Sequence, residues 1–143
     1  MATIIFYEKP GCINNTKQKA LLEAAGHLVK ARNLLTENWT ALTLSSFFGD
    51  LPVTAWFNPT APDLKSGKIR PDQIEASEAL ELMIENPLLI RRPLMQVGDR
   101  KEVGFDLKIV ADWIGLQPIN IEQKPILESL IKQDLETCPN RKL

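Results

Sequence analysis

Thr3-Ile4-Ile5-Phe6-Tyr7 is a β-branched and aromatic run without polar alternation, which predicts a short strand covered on both faces and central in a sheet. The pattern then changes period. Over residues 14–25, Ala20, Leu21, Leu22, Ala24 and Ala25 recur among Lys17, Gln18, Lys19 and Glu23, and Gly26 supplies a stop. That is a helix of about three turns. Residues 27–32 read as a second strand, and strand, helix, strand at this spacing implies a parallel unit with a right-handed crossover.

Thr36 suits the N-cap of a helix carrying Trp39, Leu42, Leu44 and Phe47 and ending at Gly49, with a second short helix over residues 53–57. Pro59, Pro62, Gly67 and Pro71 break residues 58–72 into loop with brief helical turns. Ser77 suits the cap of a helix with Leu80, Met83 and Ile84 on one face, stopping before Pro87. Residues 88–96 are interrupted by Arg91, Arg92 and Pro93, and after a turn at Gly98-Asp99 residues 102–105 return as an antiparallel hairpin. A proline there suits a sheet edge or the start of a strand. Beyond Asp106, Ile109, Val110, Trp113 and Ile114 recur at helical spacing up to Gly115, and residues 125–135 predict a further helix before a polar tail bearing Cys138. The order β-α-β, helical insertion, β-β-α implies an α/β fold with a mixed four-stranded sheet and helices on both faces, the thioredoxin-like arrangement. Residues 1–116 form this domain, and residues 117–143 a C-terminal helical extension and tail.

Composition narrows the partners. With 143 residues, 44% apolar and 24% charged, the chain is long enough for one domain with a real core. Seventeen basic residues nearly balance eighteen acidic ones, so electrostatics gives no reason to expect direct nucleic-acid or membrane binding. The N-terminus lacks a leader pattern and no apolar run reaches about 18 residues, which leads to the expectation of a cytoplasmic protein. The only cysteines are Cys12 and Cys138. Neither a second cysteine nor a histidine completes a metal-binding spacing around Cys12, so no metal is expected, and a free thiol in a reducing compartment fits best.

Cys12 is the residue with candidate chemistry. It follows the Pro10-Gly11 turn and opens the predicted helix, where unpaired N–H groups and the macrodipole favour a thiolate over a thiol. Asn14 and Asn15 have amides able to bond a thiolate or a peptide backbone, although cap and first-turn duty explains at least one of them equally well. Lys9 and Lys17 read as solvated. His27 sits at the far end of the helix and reads as packing, and Trp39, Trp56 and Trp113 read as core. Cys138, on a tail, reads either as a resolving thiol for Cys12 or as incidental.

Pro10-Gly11-Cys12 after a strand, the helical insertion, and Asn86-Pro87-Leu88-Leu89-Ile90-Arg91-Arg92-Pro93 together resemble the arsenate-reductase-like branch of the thioredoxin superfamily, which also holds the Spx regulators. The last segment is similar to that family's His-Pro-x-Leu-Ile-x-Arg-Pro stretch. Cys12 to Lys19, Ala25-Gly26-His27, Trp56-Phe57-Asn58 and Ile90 to Pro93 resemble, more narrowly, the nitrogenase-associated (NifO-type) subgroup. The resemblance implies that Arg92 contacts an oxyanion or glutathione near the thiol and that Pro93 is cis. It also departs from the pattern: Asn58 and Val103 stand where arsenate reductases carry further arginines, Glu8 stands for a histidine, and Asn15 fills the fourth position of the Cys-x-x-Cys found in many Spx proteins.

The resulting expectation is a glutathione- or glutaredoxin-linked thiol oxidoreductase, connected with nitrogen fixation. Cys12 and Arg92 would be its catalytic residues. Asn14, Asn15, Asn58 and Pro93 would contact glutathione as co-substrate, with no bound cofactor. The alternative is a degenerate binding or regulatory protein docking on a nitrogenase component, an assembly factor or the transcription machinery.

Overall fold

The computed structural model describes residues 2–116. Its sheet runs β2-β1-β3-β4, with β1 at Thr3–Glu8, β2 at Leu28–Asn33, β3 at Leu94–Val97 and β4 at Arg100–Val103. β1 pairs in parallel with β2, and β3 is antiparallel to both β1 and β4. The apolar run at the N-terminus thus forms an interior strand, as its pattern predicts. The hairpin between β3 and β4 turns at Gly98.

The alternation of side chains along the interior strands divides the core in two. Ile4 and Phe6 of β1 and Met95 of β3 face Leu21 and Leu22 of α1 (Ile13–Ala24) and Phe105 and Val110 near α5 (Leu107–Ile114). Tyr7 and Leu94 face the other way, onto Trp39, Leu44, Phe47, Trp56, Phe57 and Met83 of the insertion. Each fully buried large side chain contributes about 1.5–3 kcal/mol, so the insertion is a second core and not a surface decoration. It holds α2 (Ala41–Ser45), α3 (Pro62–Lys65) and α4 (Ala76–Glu85), with 3₁₀ turns at Val53–Ala55, Pro71–Gln73 and Pro87–Leu89.

Local predictions inside the insertion need correction. The cap of α2 is Thr40 rather than Thr36: its hydroxyl accepts from the Thr43 N–H at 3.1 Å while the Thr43 hydroxyl accepts from the Thr40 N–H at 3.0 Å, a reciprocal capping box. Trp39 precedes the helix and packs from the turn, its indole donating to the Leu34 carbonyl at 2.9 Å, which mimics helical spacing in the sequence. Glu75 rather than Ser77 sits at the N-cap of α4, whose buried face is Ala79, Leu80 and Met83, leaving Ile84 exposed. The expected helix over 53–57 is one 3₁₀ turn, after which Phe57 bridges to Ile90. The helix expected over 125–135 lies outside the described residues. Among the described residues no helix is long and apolar enough to cross a membrane.

Candidate thiol site

Lys9 to Cys12 form a tight turn in which the Cys12 N–H donates to the Lys9 carbonyl at 3.0 Å. Gly11 adopts φ +84°, a left-handed conformation that glycine reaches without a steric penalty. Cys12 is the N-cap of α1, and its Sγ accepts from the Asn15 N–H at 3.4 Å. The side chain is thus at the end of the helix where backbone donors are unsatisfied and negative charge is favoured. Cys12 is disulfide-bonded in this structure, and no described cysteine is free. The expectation of a free thiol is therefore corrected. The chain's other cysteine, Cys138, and with it the expected resolving thiol, lies outside the described residues.

Asn14, Asn15 and Gln18 are all buried beneath this turn. Asn15 Oδ1 accepts from the Lys9 N–H at 3.0 Å and its Nδ2 donates to Gln18 Oε1 at 2.9 Å. Glu8, which stands where the resemblance has a histidine, is paired with Lys19 at 2.8 Å, so its charge is compensated. Gln18 and this ion pair were missed as parts of the site. The three-residue step from Asn15 to Gln18 along one helix face was the available signal.

Arg92 and Pro93 lie at the same end of the sheet as the cysteine turn. Leu94 is the register partner of Tyr7, so Pro93 stands level with the end of β1, from which Lys9 to Cys12 depart. The Arg92–Pro93 peptide is cis, as the resemblance implies. Arg92 is only 3% exposed, and among the described residues Nε and both terminal nitrogens of its guanidinium have no hydrogen-bond partner. Burial lowers its pKa from the ordinary arginine value. A buried, unpaired guanidinium is costly and calls for an anion.

Asn58, in the insertion, is tied to the segment that leads into Arg92. Its N–H donates to the Leu89 carbonyl at 2.8 Å, next to the Phe57–Ile90 bridge. Its side-chain oxygen is occupied in its own turn, accepting from the Thr60 N–H and hydroxyl. Val103 is half-buried at the end of β4. His27 is remote, beyond the C-terminal end of α1, and bonds to Ala2 and Gly115.

The sequence of residues 7–112 matches the model of the ArsC family. The chain belongs to the ArsC family. It is 52% identical over 141 residues to an uncharacterized 15.7 kDa protein in the draG 3' region of Rhodospirillum rubrum, covering 99% of this chain and 91% of that one. It is 27% identical over 94 residues to the arsenate reductase ArsI2 of Synechocystis, covering 64% and 67% of the two chains. An ArsC-related protein from Bacteroides fragilis shares the fold, with a TM-score of 0.68 and 24% identity over 77% of this chain and 97% of that one. The arsenate reductase and Spx branch, with its thioredoxin-like fold, is thereby the correct assignment.

Proposed function

We propose that this ArsC-family protein is a glutathione- or glutaredoxin-linked thiol oxidoreductase working from Cys12. The observation that carries the reading is Arg92: a buried guanidinium without a partner, at the sheet end from which the cysteine turn departs. A carboxylate of glutathione would supply the charge-assisted hydrogen bonds that this side chain lacks. Cis-Pro93 would offer backbone atoms to the same peptide, while Asn15, with both amide atoms engaged inside the protein, would hold the cysteine turn and not touch the ligand.

In the reduced protein the Cys12 thiolate attacks one sulfur of a substrate disulfide. A Cys12–substrate mixed disulfide forms and the other sulfur leaves as a thiolate. A second thiolate, from glutathione, glutaredoxin or Cys138, then attacks the mixed disulfide. It releases the first substrate sulfur or restores Cys12, according to which sulfur it strikes. The disulfide-bonded Cys12 of this structure corresponds to an oxidised stage of that cycle. Asn58 and Val103 leave the anion site with one guanidinium where arsenate reductases are expected to have more, so arsenate is not the substrate we assign. Glutathione as reductant implies a cytoplasmic setting. For the link to nitrogen fixation, and for a nitrogenase-related partner, the draG-region relative is the supporting comparison.

The test is intact mass after reduced protein meets oxidised glutathione. Cys138→Ser, in which no second cysteine can resolve the adduct, should gain one glutathione at Cys12, and Cys12→Ser none. An adduct on Cys138 alone, or none in either variant, would turn the reading toward a docking protein without thiol chemistry.

A further inference from the structure

We propose that Asn15, braced by Gln18, is the positioning residue that sets the reactivity of Cys12; this rests on the reading of Cys12 as a redox thiol. Asn15 is fully buried and acts on the cysteine from two sides. Its backbone N–H donates to Cys12 Sγ. Its side-chain oxygen accepts the Lys9 N–H, and the carbonyl of that same Lys9 accepts the Cys12 N–H. One residue therefore fixes both the acceptor that anchors the Cys12 backbone and the donor that faces its sulfur.

The turn needs such a brace. Gly11 has no side chain, and nothing lies within 4 Å of where its Cβ would be, so side-chain packing at that position does not hold the loop. The stabilisation that a helix end gives to a thiolate falls off within one turn, so a loop displaced by about an ångström forfeits much of it. Gln18 completes the device: its Oε1 accepts a hydrogen bond from Asn15 Nδ2 at 2.9 Å, which fixes the amide with its oxygen toward Lys9. Without that bond a buried amide would be left with an unsatisfied donor and a reason to rotate.

The experiment measures alkylation of Cys12 by iodoacetamide against pH, in reduced Cys138→Ser protein. Asn15→Leu, similar in volume but unable to make either side-chain bond, should move the midpoint up by about one unit. At low pH its alkylation should then be about tenfold slower. Gln18→Leu should shift the midpoint the same way and less. Leu44→Ala, a core change in the insertion, should lower stability while leaving the profile alone. A wild-type profile in Asn15→Leu overturns the proposal, and the same profile in Gln18→Leu does so if Asn15→Leu does not fold. The role of Asn15 is read from the difference between proteins. An ordinary midpoint near 8.5 with no glutathione adduct in the parent protein would instead count against the oxidoreductase reading.

Discussion

His27 donates its Nε2 proton to the Gly115 carbonyl at 2.8 Å, joining the turn after α1 to the end of α5 across 88 residues of sequence. The tautomer follows from the other nitrogen. Nδ1 lies 3.0 Å from the Ala2 N–H, which can only donate, so Nδ1 carries no proton and Nε2 does. His27→Ala would leave a partly buried N–H and a partly buried carbonyl without this partner, for a loss of about 1 kcal/mol. The denaturation midpoint should fall while Cys12 alkylation stays as in wild type. An unchanged midpoint would show that water replaces both bonds at no cost.

Gly104 is held against Arg91. It adopts φ +79°, and a Cβ there would meet Nε and a terminal nitrogen of Arg91 at 2.8 Å, while its N–H donates to the Pro93 carbonyl at 2.8 Å. Gly104→Ala thus combines backbone strain with a clash, for a loss of about 1–3 kcal/mol. The two parts separate in a double-mutant cycle with Arg91→Ala. Truncating Arg91 should recover the steric part and leave the strain of about 1–2 kcal/mol. Full additivity in chemical denaturation would show that the arginine moves aside freely.

The elements that carry the sheet were legible because their patterns are local and strong. The apolar run at residues 3–7, the amphipathic helix ended by Gly26 and the Gly98 hairpin specify themselves. The insertion was not so clear. Trp39 and Trp56 are buried from turns, and their indoles bond to Leu34 and Leu51 carbonyls five residues away, so apolar spacing there reports tertiary packing and not helix period. At the site, Cys12 was visible from the Pro-Gly turn before a helix, and Arg92 from a motif. That Arg92 is buried without a partner, that Glu8 is neutralised by Lys19, and that Asn15 reaches back to Lys9 are contacts between segments, which pattern along the chain does not encode.

Tyr7 is the chain's single tyrosine, so its ionisation can be followed by tyrosinate absorbance without overlap from another. Burial and the nearby Glu37 raise its pKa above 10.0. The folded state therefore holds this proton more tightly than the unfolded chain. The stabilisation is fully present below the unfolded value of about 10 and is lost as pH rises through the higher folded value. The absorbance midpoint should exceed 10.0, and Glu37→Gln should lower it by removing the facing charge. A midpoint at or below 10.0 in folded protein would contradict the burial of Tyr7 against Trp39 and Phe47.

Arg92→Met separates stability from function. If the guanidinium is kept for an anion and not for the fold, an apolar side chain of similar length should leave the protein equally stable or more stable by about 1–4 kcal/mol, since an unpaired buried charge disappears. Burial weakens proton binding to Arg92 in the folded state, so its cost is present at every pH below the lowered pKa and eases only as pH rises through it. The gain in Arg92→Met should accordingly be full below the lowered pKa and shrink only as pH rises through it. S-methylglutathione, which carries the carboxylates without a reactive sulfur, should raise the Tm of wild type and leave that of Arg92→Met unchanged. The variant should also form the Cys12–glutathione adduct slowly. A loss of several kcal/mol in Arg92→Met, with no effect of the ligand on wild type, would make Arg92 a structural residue and remove the anion site from which the oxidoreductase reading was built.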